Sequence, residues 1–251
     1  MKVQRIHEIE SYVKRHGAAS LNELCEVFEV SKNTIRRDTN YLIKKGLVEK
    51  VYGGVVLKED NLVSFENRQI KHQEEKRLIG KEAAKLIEED DLIYVDSGTT
   101  TKYLMEFVPP DMSFTVVTNN LDVINSAAQL EHVQLLVVGS KYKRKTRSFI
   151  EMQNHQILPN FNINKAFMAT TGLTLQNGLT NSDMLETQIK KAICEKAAHI
   201  YVMADTSKFG HSTLLTYAKL DEVDGIISGG TLGKEYLDYF HQHNIVLHKA
   251  Y

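Results

Sequence analysis

The stretch Ser31-Lys32-Asn33-Thr34-Ile35-Arg36-Arg37-Asp38 decides the fold of the first part of this sequence. Ser31 is a residue type that caps helix N-termini, because its hydroxyl accepts a hydrogen bond from a free backbone N–H. Ile35, Thr39 and Leu42 follow at the spacing that places them on one helix face. Gly46 stands where a C′ residue ends a helix. The stretch therefore predicts a helix that begins after Ser31 and ends before Gly46.

The outer faces of the first two turns of this helix carry hydrogen-bond donors. With Ile35 turned inward, those faces hold Lys32, Asn33, Thr34, Arg36 and Arg37. Such groups suit phosphates and base edges, and the two arginines are expected on phosphates, because half or more of protein–DNA hydrogen bonds go to the backbone. A carboxylate would be repelled there. Asp38 is therefore expected either to orient an arginine or to form a surface ion pair.

The flanking residues complete the pattern of a winged helix-turn-helix. Ser20 and Glu23 form a capping box at the start of a preceding short helix, and only two residues separate Phe28 from the Ser31 cap. After Gly46, residues 47–51 and 55–57 are typical of two strands joined at Tyr52-Gly53-Gly54. The sequence thus predicts a compact DNA-binding domain.

Length and composition set broad limits on the protein. The chain has 251 residues, 42% of them hydrophobic and 25% charged, which suits two globular domains. No apolar run approaches the roughly 20 residues of a membrane span, and the N-terminus lacks the apolar core of a signal peptide, so we expect a cytoplasmic protein without a membrane partner. Cys25 and Cys194 are too few for a disulfide framework or a metal cluster. We expect both to be buried thiols, and we expect no metal or cofactor.

Charge is distributed unevenly along the chain. Residues 1–58 contain 11 Lys/Arg and 7 Asp/Glu, whereas the remainder contains 20 Lys/Arg and 25 Asp/Glu. A basic front and an acidic remainder are expected if the N-terminal segment alone meets a polyanion.

These N-terminal residues resemble the DeoR family of bacterial transcription regulators. The family signature is matched at Arg5, Ile9, Val13, Ser31, Thr34, Ile35, Arg36, Arg37 and Asp38, with Thr39 departing from the usual aliphatic residue. The resemblance implies that the third helix enters the major groove of double-stranded operator DNA and that the wing follows the backbone. The implied DNA contacts are Ser31, Lys32, Asn33, Thr34, Arg36, Arg37, Tyr52 and Gly53.

Three parts are expected along the chain: a winged helix-turn-helix domain at 1–57, a linker at 58–72 and an α/β domain at 73–251. Phe65-Glu66-Asn67-Arg68 resembles the Phe-x-x-Arg element that the family places between its domains. It either docks by its aromatic ring or carries a signal between domains. A charged helix is predicted over 73–87.

From residue 92 onward, apolar strands alternate with helices, which favours an open, mainly parallel α/β sheet with ligands at the carboxyl ends of its strands. The predicted strands are 92–96, 115–118, 133–138, 165–170, 199–204, 225–228 and 245–248, and the predicted helices are 100–107, 121–128, 183–198 and 234–243.

Several loops at these strand ends are typical of anion sites. The loop from Asp96 to Thr101 combines small residues and hydroxyls with a predicted helix N-terminus, so we expect it to cradle a phosphate. The basic run from Lys141 to Arg147 is expected to face an anion or to form a solvated loop. Lys208 lies just beyond a strand end, whereas Glu186 and Lys190 are expected to form a surface helix pair.

The same loops resemble the DeoR sensor domain, whose fold is that of sugar-phosphate isomerases. Two departures from the family pattern are Thr171, in place of an Asp, and Ser140, in place of a Gly. The expected effector contacts are Asp96, Ser97, Gly98, Thr99, Thr100, Thr101, Asn119, Lys143, Arg144, Arg147, Thr180 and Lys208.

Two functions are compatible with this resemblance. The first is a regulator, expected to be a repressor of a sugar or polyol operon, that is released from DNA by a phosphorylated sugar or sugar acid. The second is a sugar-phosphate isomerase with a DNA-binding appendage, against which the absent Asp counts, because isomerisation needs a placed general base. The stretches 49–55 and 143–149 resemble the family member that represses myo-inositol catabolism genes, which implies a phosphorylated keto-sugar acid as effector.

One winged helix buries too little DNA for specific binding alone, so a homo-oligomer, dimer or tetramer, is expected.

Overall fold

The computed structural model describes residues 2–16, 18–51, 53–57, 65–150 and 161–251. The N-terminal part is a three-helix unit with a small antiparallel sheet in the strand order β1-β3-β2. Its elements are α1 (Lys2–His16), β1 (Ala18–Ser20), α2 (Leu21–Phe28), α3 (Lys32–Lys44), β2 (Val48–Val51) and β3 (Gly54–Leu57). This arrangement confirms the predicted winged helix-turn-helix and adds β1, which is too short to leave a sequence pattern.

The predicted ends of α2 and α3 are confirmed. Ser20 and Glu23 form the reciprocal capping box, and the Ser31 hydroxyl accepts a hydrogen bond from the Thr34 amide at 3.4 Å. Gly46 has a φ of +71°, the left-handed conformation that glycine adopts without a steric cost. Between these caps Ile35 and Leu42 are fully buried in the core that joins the three helices.

The C-terminal part contains the remaining elements. They are α4 (Phe65–Ile70), α5 (Gln73–Ala84), β4 (Leu92–Val95), β5 (Phe114–Thr118), α6 (Leu121–Ala127), β6 (Val133–Val137), β7 (Lys141–Lys143), β8 (Ser148–Ile150), β9 (Lys165–Ala169), β10 (Gly172–Thr174), β11 (Gly178–Asn181), α7 (Met184–Cys194), β12 (His199–Met203), β13 (Leu215–Ala218), β14 (Gly225–Ser228), α8 (Lys234–Gln242) and β15 (Val246–Lys249). Helix α4 lies within the segment that the sequence predicted to be a linker.

Seven strands form one sheet in the order β15-β14-β12-β9-β4-β5-β6, and every neighbouring pair is parallel. All seven strands predicted from the sequence are confirmed in it. The strand order runs outward in one direction from β4 and in the other from β9, so the sheet has its topological switch point between these two strands. Ligands of open α/β sheets bind outside the carboxyl ends of the strands at such a point.

Helices cover both faces of this sheet. Ile189 of α7 and Phe240 of α8 belong to one buried cluster, whereas Ile79 of α5 and Val123 of α6 belong to a second cluster on the opposite face. The strands are buried on both sides, which is why they appear in the sequence as continuous apolar runs.

The local structure differs from the sequence predictions at several places. The segment predicted as a helix over 100–107 is a 3-10 helix, Thr101–Phe107. It packs backbone to backbone on α5, since a Cβ on Gly80 would lie 2.7 Å from the Tyr103 carbonyl carbon. The basic run is part of the β7–β8 hairpin, and β10, β11 and β13 form a second antiparallel sheet.

Cys25 and Cys194 are free but only partly buried. Burial still raises the pKa of the Cys194 thiol to about 12, so it is not a thiolate at neutral pH.

Candidate DNA-binding surface and effector cleft

The outer face of α3 presents the residues that the sequence selected for DNA contact. Lys32, Asn33, Arg36 and Arg37 are exposed, and Thr34 is half-buried. Lys32 donates to the Asn22 side chain at 2.8 Å, which is an exposed contact that a phosphate can replace. The exposed Ser31 caps α3, so its hydroxyl already accepts a hydrogen bond within the protein. The backbone N–H groups at this helix N-terminus remain suited to a phosphate.

Asp38 orients an arginine, which was one of the two alternatives. Its side chain is only 1% exposed, and its carboxylate accepts a hydrogen bond from the Arg5 Nε at 2.7 Å. Because Asp38 is buried, the alternative of a surface ion pair is wrong. The pair ties α1 to α3 and so fixes the angle at which the recognition helix is presented.

The wing depends on two glycines. Gly53 has a φ of +80° and is exposed at the tip, where its carbonyl accepts from the Leu21 amide at 2.9 Å. A Cβ on Gly54 would lie 2.4 Å from the Ala19 carbonyl oxygen, so only glycine allows β1 to pair with β3 here. Tyr52, which was also selected as a DNA contact, lies outside the described residues.

A cleft opens at the switch point of the seven-stranded sheet, between the ends of β4 and β9. It is mainly polar and is closed on one side by α4. Its lining residues are Phe65, Arg68, Ser97, Gly98, Thr99, Thr100, Thr146, Ala169, Thr170, Thr171, Asn181, Ser182, Glu186, Lys190 and Lys208. We call this the effector cleft.

The loop after β4 forms one wall of the effector cleft through Ser97, Gly98, Thr99 and Thr100. Among the described residues the buried Ser97 hydroxyl has no hydrogen-bond partner, so it is available to a ligand. Thr101 is different, because its hydroxyl donates to the Asp96 carbonyl at 2.7 Å and braces the loop from behind. The helix that follows is a seven-residue 3-10 helix rather than an α-helix.

Asp96 lies beneath the loop. Its carboxylate accepts from the Ala169 amide at 2.9 Å and forms an ion pair with the buried Lys190 ammonium. Burial raises the pKa of Asp96, and the Lys190 charge opposes this shift. The pair joins the ends of β4 and β9 to α7, so Asp96 shapes the cradle from below.

The prediction that Glu186 and Lys190 form a surface pair was wrong. Both side chains are buried, with 6% and 2% exposure, because this face of α7 turns toward the switch point. Glu186 accepts from the Ser148 hydroxyl at 2.7 Å and from the Asn181 amide at 3.4 Å. The periodicity of α7 reveals an amphipathic helix, but it does not reveal that a parallel sheet buries two of its charges.

Asn119 and Thr180 hold the walls of the effector cleft together. The Asn119 amide accepts from the Tyr94 hydroxyl at 3.0 Å and donates to the Phe149 carbonyl at 3.2 Å. The Thr180 hydroxyl donates to the Gly172 carbonyl at 2.9 Å and accepts from the Thr213 amide at the same distance. The structure thus places both residues one layer behind the lining.

The basic run from Lys141 to Arg147 supports the effector cleft mainly through the β7–β8 hairpin and lines it little. Lys143 forms an ion pair with Asp183, the cap of α7, and Arg147 donates through Nε to Asp122 at 3.1 Å. Arg144 is exposed, and only Thr146 of this run lines the effector cleft. The acidic partners lie 25 and 40 residues away in the sequence, so composition alone could not identify them.

The opposite wall of the effector cleft carries cations. Lys208 lines it at 9% exposure, and burial lowers the pKa of its ammonium. Arg68 of α4 lines the same wall, with its guanidinium 5.7 Å from the centre of the Phe65 ring. Behind them the buried carboxylate of Asp205 lies 3.9 Å from Lys208 and 3.7 Å from Lys76. Sequence reasoning singled out Lys208 but missed Lys76, since a lysine in a charged helix gives no sign of burial.

The loop at 169–172 contributes Thr170 and Thr171 to the lining of the effector cleft. Thr171 donates to the Asn181 side chain at 2.8 Å, and Thr170 donates to the Gly172 carbonyl at 2.6 Å. Within the described ranges, no group of acidic, His or Cys side chains could hold a metal ion, and no helix could span a membrane.

Comparison with known proteins agrees with this architecture. A family model of the DeoR-like helix-turn-helix domain matches residues 5–61, and one of the DeoR C-terminal sensor domain matches residues 71–230. The chain is 52% identical over 251 residues, all of both proteins, to the HTH-type transcriptional regulator IolR of Bacillus subtilis. It is 31% identical over 240 residues to the L-fucose operon activator of Haemophilus influenzae, covering 95% of this chain and 96% of that one.

Among solved structures, ribose 5-phosphate isomerase A from Methanocaldococcus jannaschii aligns with a TM-score of 0.40 at 17% identity, over 55% of each chain. The two family models together span both parts of the chain, and the regulators match it over nearly their full lengths. The chain belongs to the DeoR family and is a DNA-binding transcriptional regulator rather than an enzyme.

Proposed function

We propose that this regulator is a repressor whose affinity for operator DNA is set by a phosphorylated, sugar-like metabolite bound in the effector cleft. The observation that carries the proposal is the position of the cleft, which lies at the switch point of a parallel sheet, where ligands of such sheets bind. The cleft is lined by a loop of small and hydroxyl residues and by the cations Arg68 and Lys208.

The chemistry of the two walls supports an anion with several hydroxyl groups. Backbone N–H groups and hydroxyls of the loop from Ser97 to Thr100 suit phosphate oxygens, because small residues let the backbone approach them closely. Lys208 supplies a compact charge for neutralisation. Asn181, Ser182 and Glu186 add donors and acceptors suited to sugar hydroxyls.

The pathway proposed is the catabolism of myo-inositol. Its support is the resemblance of residues 49–55 and 143–149 to the family member that represses those genes, together with 52% identity to IolR over the whole chain. The effector would then be a phosphorylated keto-sugar acid. Family relatives include an operon activator and a putative operon repressor, so repression is part of the proposal.

The test is operator release. Fluorescence anisotropy would follow binding of the full chain to promoter DNA of myo-inositol catabolism genes, with and without phosphorylated sugars and sugar acids. We expect release by a phosphorylated compound and none by its unphosphorylated counterpart. Binding should also appear as a thermal shift, since a ligand at 100 times its dissociation constant adds about 2.7 kcal/mol of stability. Release by the neutral sugar alone would contradict the phosphate assignment.

We also propose that the regulator binds DNA as a homo-oligomer, because the exposed face of a single α3 covers too little DNA for specific recognition. Light scattering of the protein, free and on operator fragments with one or two half-sites, tests this. A monomer with full affinity for a single half-site would contradict it.

A further inference from the structure

Lys76 occupies an unusual position between α4 and the cation wall of the effector cleft. It is a lysine of α5, yet its side chain is only 1% exposed. Its ammonium donates to the carbonyl of Lys71 at 2.8 Å and to the carbonyl of Arg68. Arg68 lies in the last turn of α4, so the ammonium holds carbonyls at the C-terminal end of this helix, where a positive charge is favourable.

The same ammonium faces a carboxylate from the other side. Asp205 is fully buried, and its Oδ2 lies 3.7 Å from the Lys76 Nζ and 3.9 Å from the Lys208 Nζ. These distances are those of ion pairs but are too long for hydrogen bonds, and Oδ2 has no hydrogen-bond partner among the described residues. The other oxygen, Oδ1, accepts from the Ser207 amide at 3.1 Å.

One carboxylate oxygen is therefore shared by two ammonium groups with different surroundings. Lys208 lines the effector cleft, whereas Lys76 lies behind it and holds α4. An anion in the cleft would attract Lys208 away from Asp205, which leaves a buried carboxylate with a single partner. Leaving a buried charge under-compensated is costly, so Asp205 would draw Lys76 into a hydrogen bond. That movement weakens the hold of Lys76 on the carbonyls of α4.

Helix α4 is well placed to pass this change onward. It begins at Phe65, and only residues 58–64 separate it from the end of β3 in the wing. Its residues Phe65 and Arg68 also line the effector cleft. The helix thus adjoins the effector cleft, and in the sequence it follows the DNA-binding domain closely.

We propose that Lys76 is the positioning residue that couples the two domains: an anion at Lys208 shifts Lys76 from the α4 carbonyls toward Asp205 and so releases α4. This inference rests on the proposed function, because it requires an anionic effector in the cleft. It adds the side chain through which the binding of that effector reaches the DNA-binding domain.

The test uses the full chain with inorganic phosphate and 6-phosphogluconate as probes, and the variants Lys76→Met and Lys81→Met. Methionine keeps an unbranched side chain of similar length but lacks the ammonium, and Lys81 is an exposed lysine of the same helix, so it serves as a matched control. Calorimetry measures anion binding, and anisotropy measures the ratio of operator Kd with and without saturating anion. Hydrogen exchange measures the protection of residues 65–72.

In the wild type and in Lys81→Met we expect the anion to raise the operator Kd by about 5- to 150-fold, the usual range of allosteric coupling, and to accelerate exchange in 65–72. In Lys76→Met the anion should still bind, but the operator Kd ratio should fall to about 1 and exchange should no longer respond. A wild-type ratio in Lys76→Met would overturn the coupling role and leave the proposed function standing.

Two further outcomes are decisive. If Lys76→Met does not fold, the wild-type exchange measurement decides alone, and unchanged exchange in 65–72 at saturating anion overturns the inference. If neither probe nor any phosphorylated sugar binds the wild type, the proposed function fails and this inference fails with it.

Discussion

The Arg5 Nε lies 2.7 Å from the Asp38 carboxylate, and this ion pair ties the first helix of the DNA-binding domain to its recognition helix. Asp38 is buried, whereas Arg5 retains 23% exposure. The carboxylate thus depends on the guanidinium for its compensation. Two residues that the sequence separates by 33 positions act together as a structural tie.

Asp38→Ala should destabilise the DNA-binding domain by about 2 kcal/mol. Breaking a fully buried ion pair costs about 3–5 kcal/mol, and the partial exposure of Arg5 reduces the cost. Urea denaturation of the full chain, followed by the signal of the N-terminal domain, measures the effect. Glu49→Ala, which changes an exposed acid of the wing, is the control. A loss no larger than that of the control would contradict the role of the pair.

Arg36→Ala and Arg37→Ala should each weaken binding to operator and to random DNA alike. Both side chains are exposed on the outer face of α3, where contacts with phosphates carry no sequence information. Each loss should lower the slope of log K against log salt by about one unit. Titrations at several salt concentrations measure the slope, and slopes equal to that of the wild type would remove both residues from the interface.

Lys208→Ala should weaken effector binding while leaving DNA binding without effector nearly intact. Lys208 lines the effector cleft, far along the chain from the recognition helix, and in the proposed function it supplies the charge that neutralises the phosphate. The effector concentration that releases half of the operator should therefore rise well above the wild-type value. Lys234→Ala, an exposed lysine of α8, is the control. Release of Lys208→Ala at the wild-type concentration would place the phosphate elsewhere.

The stability of the wild type relative to Lys76→Met should increase as pH rises through about 8. Burial lowers the pKa of Lys76 from 10.5 to about 8, with Asp205 opposing the shift and Lys208 and Arg68 adding to it. Between these two values the unfolded chain binds the proton that the folded chain has lost, so the free energy of unfolding rises with pH. One unit of pKa corresponds to about 1.4 kcal/mol, which gives a gain of about 2 kcal/mol between pH 7 and 9.5.

Urea denaturation of both proteins across this range measures the difference, in which the titration of groups common to both cancels. A difference that is flat in pH would mean that Lys76 titrates as an exposed lysine does.

The sequence by itself determined the ends of the recognition helix and the strands of the large sheet. Ser31 and Gly46 fix the ends of α3 through local backbone chemistry, and a 3.6-residue period places Ile35 and Leu42 in the core. The strands of the large sheet are recognisable because both faces are buried, which requires uninterrupted apolar runs. The loop from Asp96 to Thr101 is also identifiable from local sequence, because a run of small and hydroxyl residues directly follows a strand end.

Only the tertiary structure decided which charges meet. Asp96 with Lys190 and Asp205 with Lys76 are pairs between residues 94 and about 130 positions apart in the chain, formed near the carboxyl ends of the parallel strands β4 and β12. Local periodicity cannot distinguish a lysine on a solvated helix face from one that a sheet buries, as Lys76 and Lys190 demonstrate. Electrostatic partners are set by proximity in space, and proximity here follows from the crossover connections of a parallel sheet.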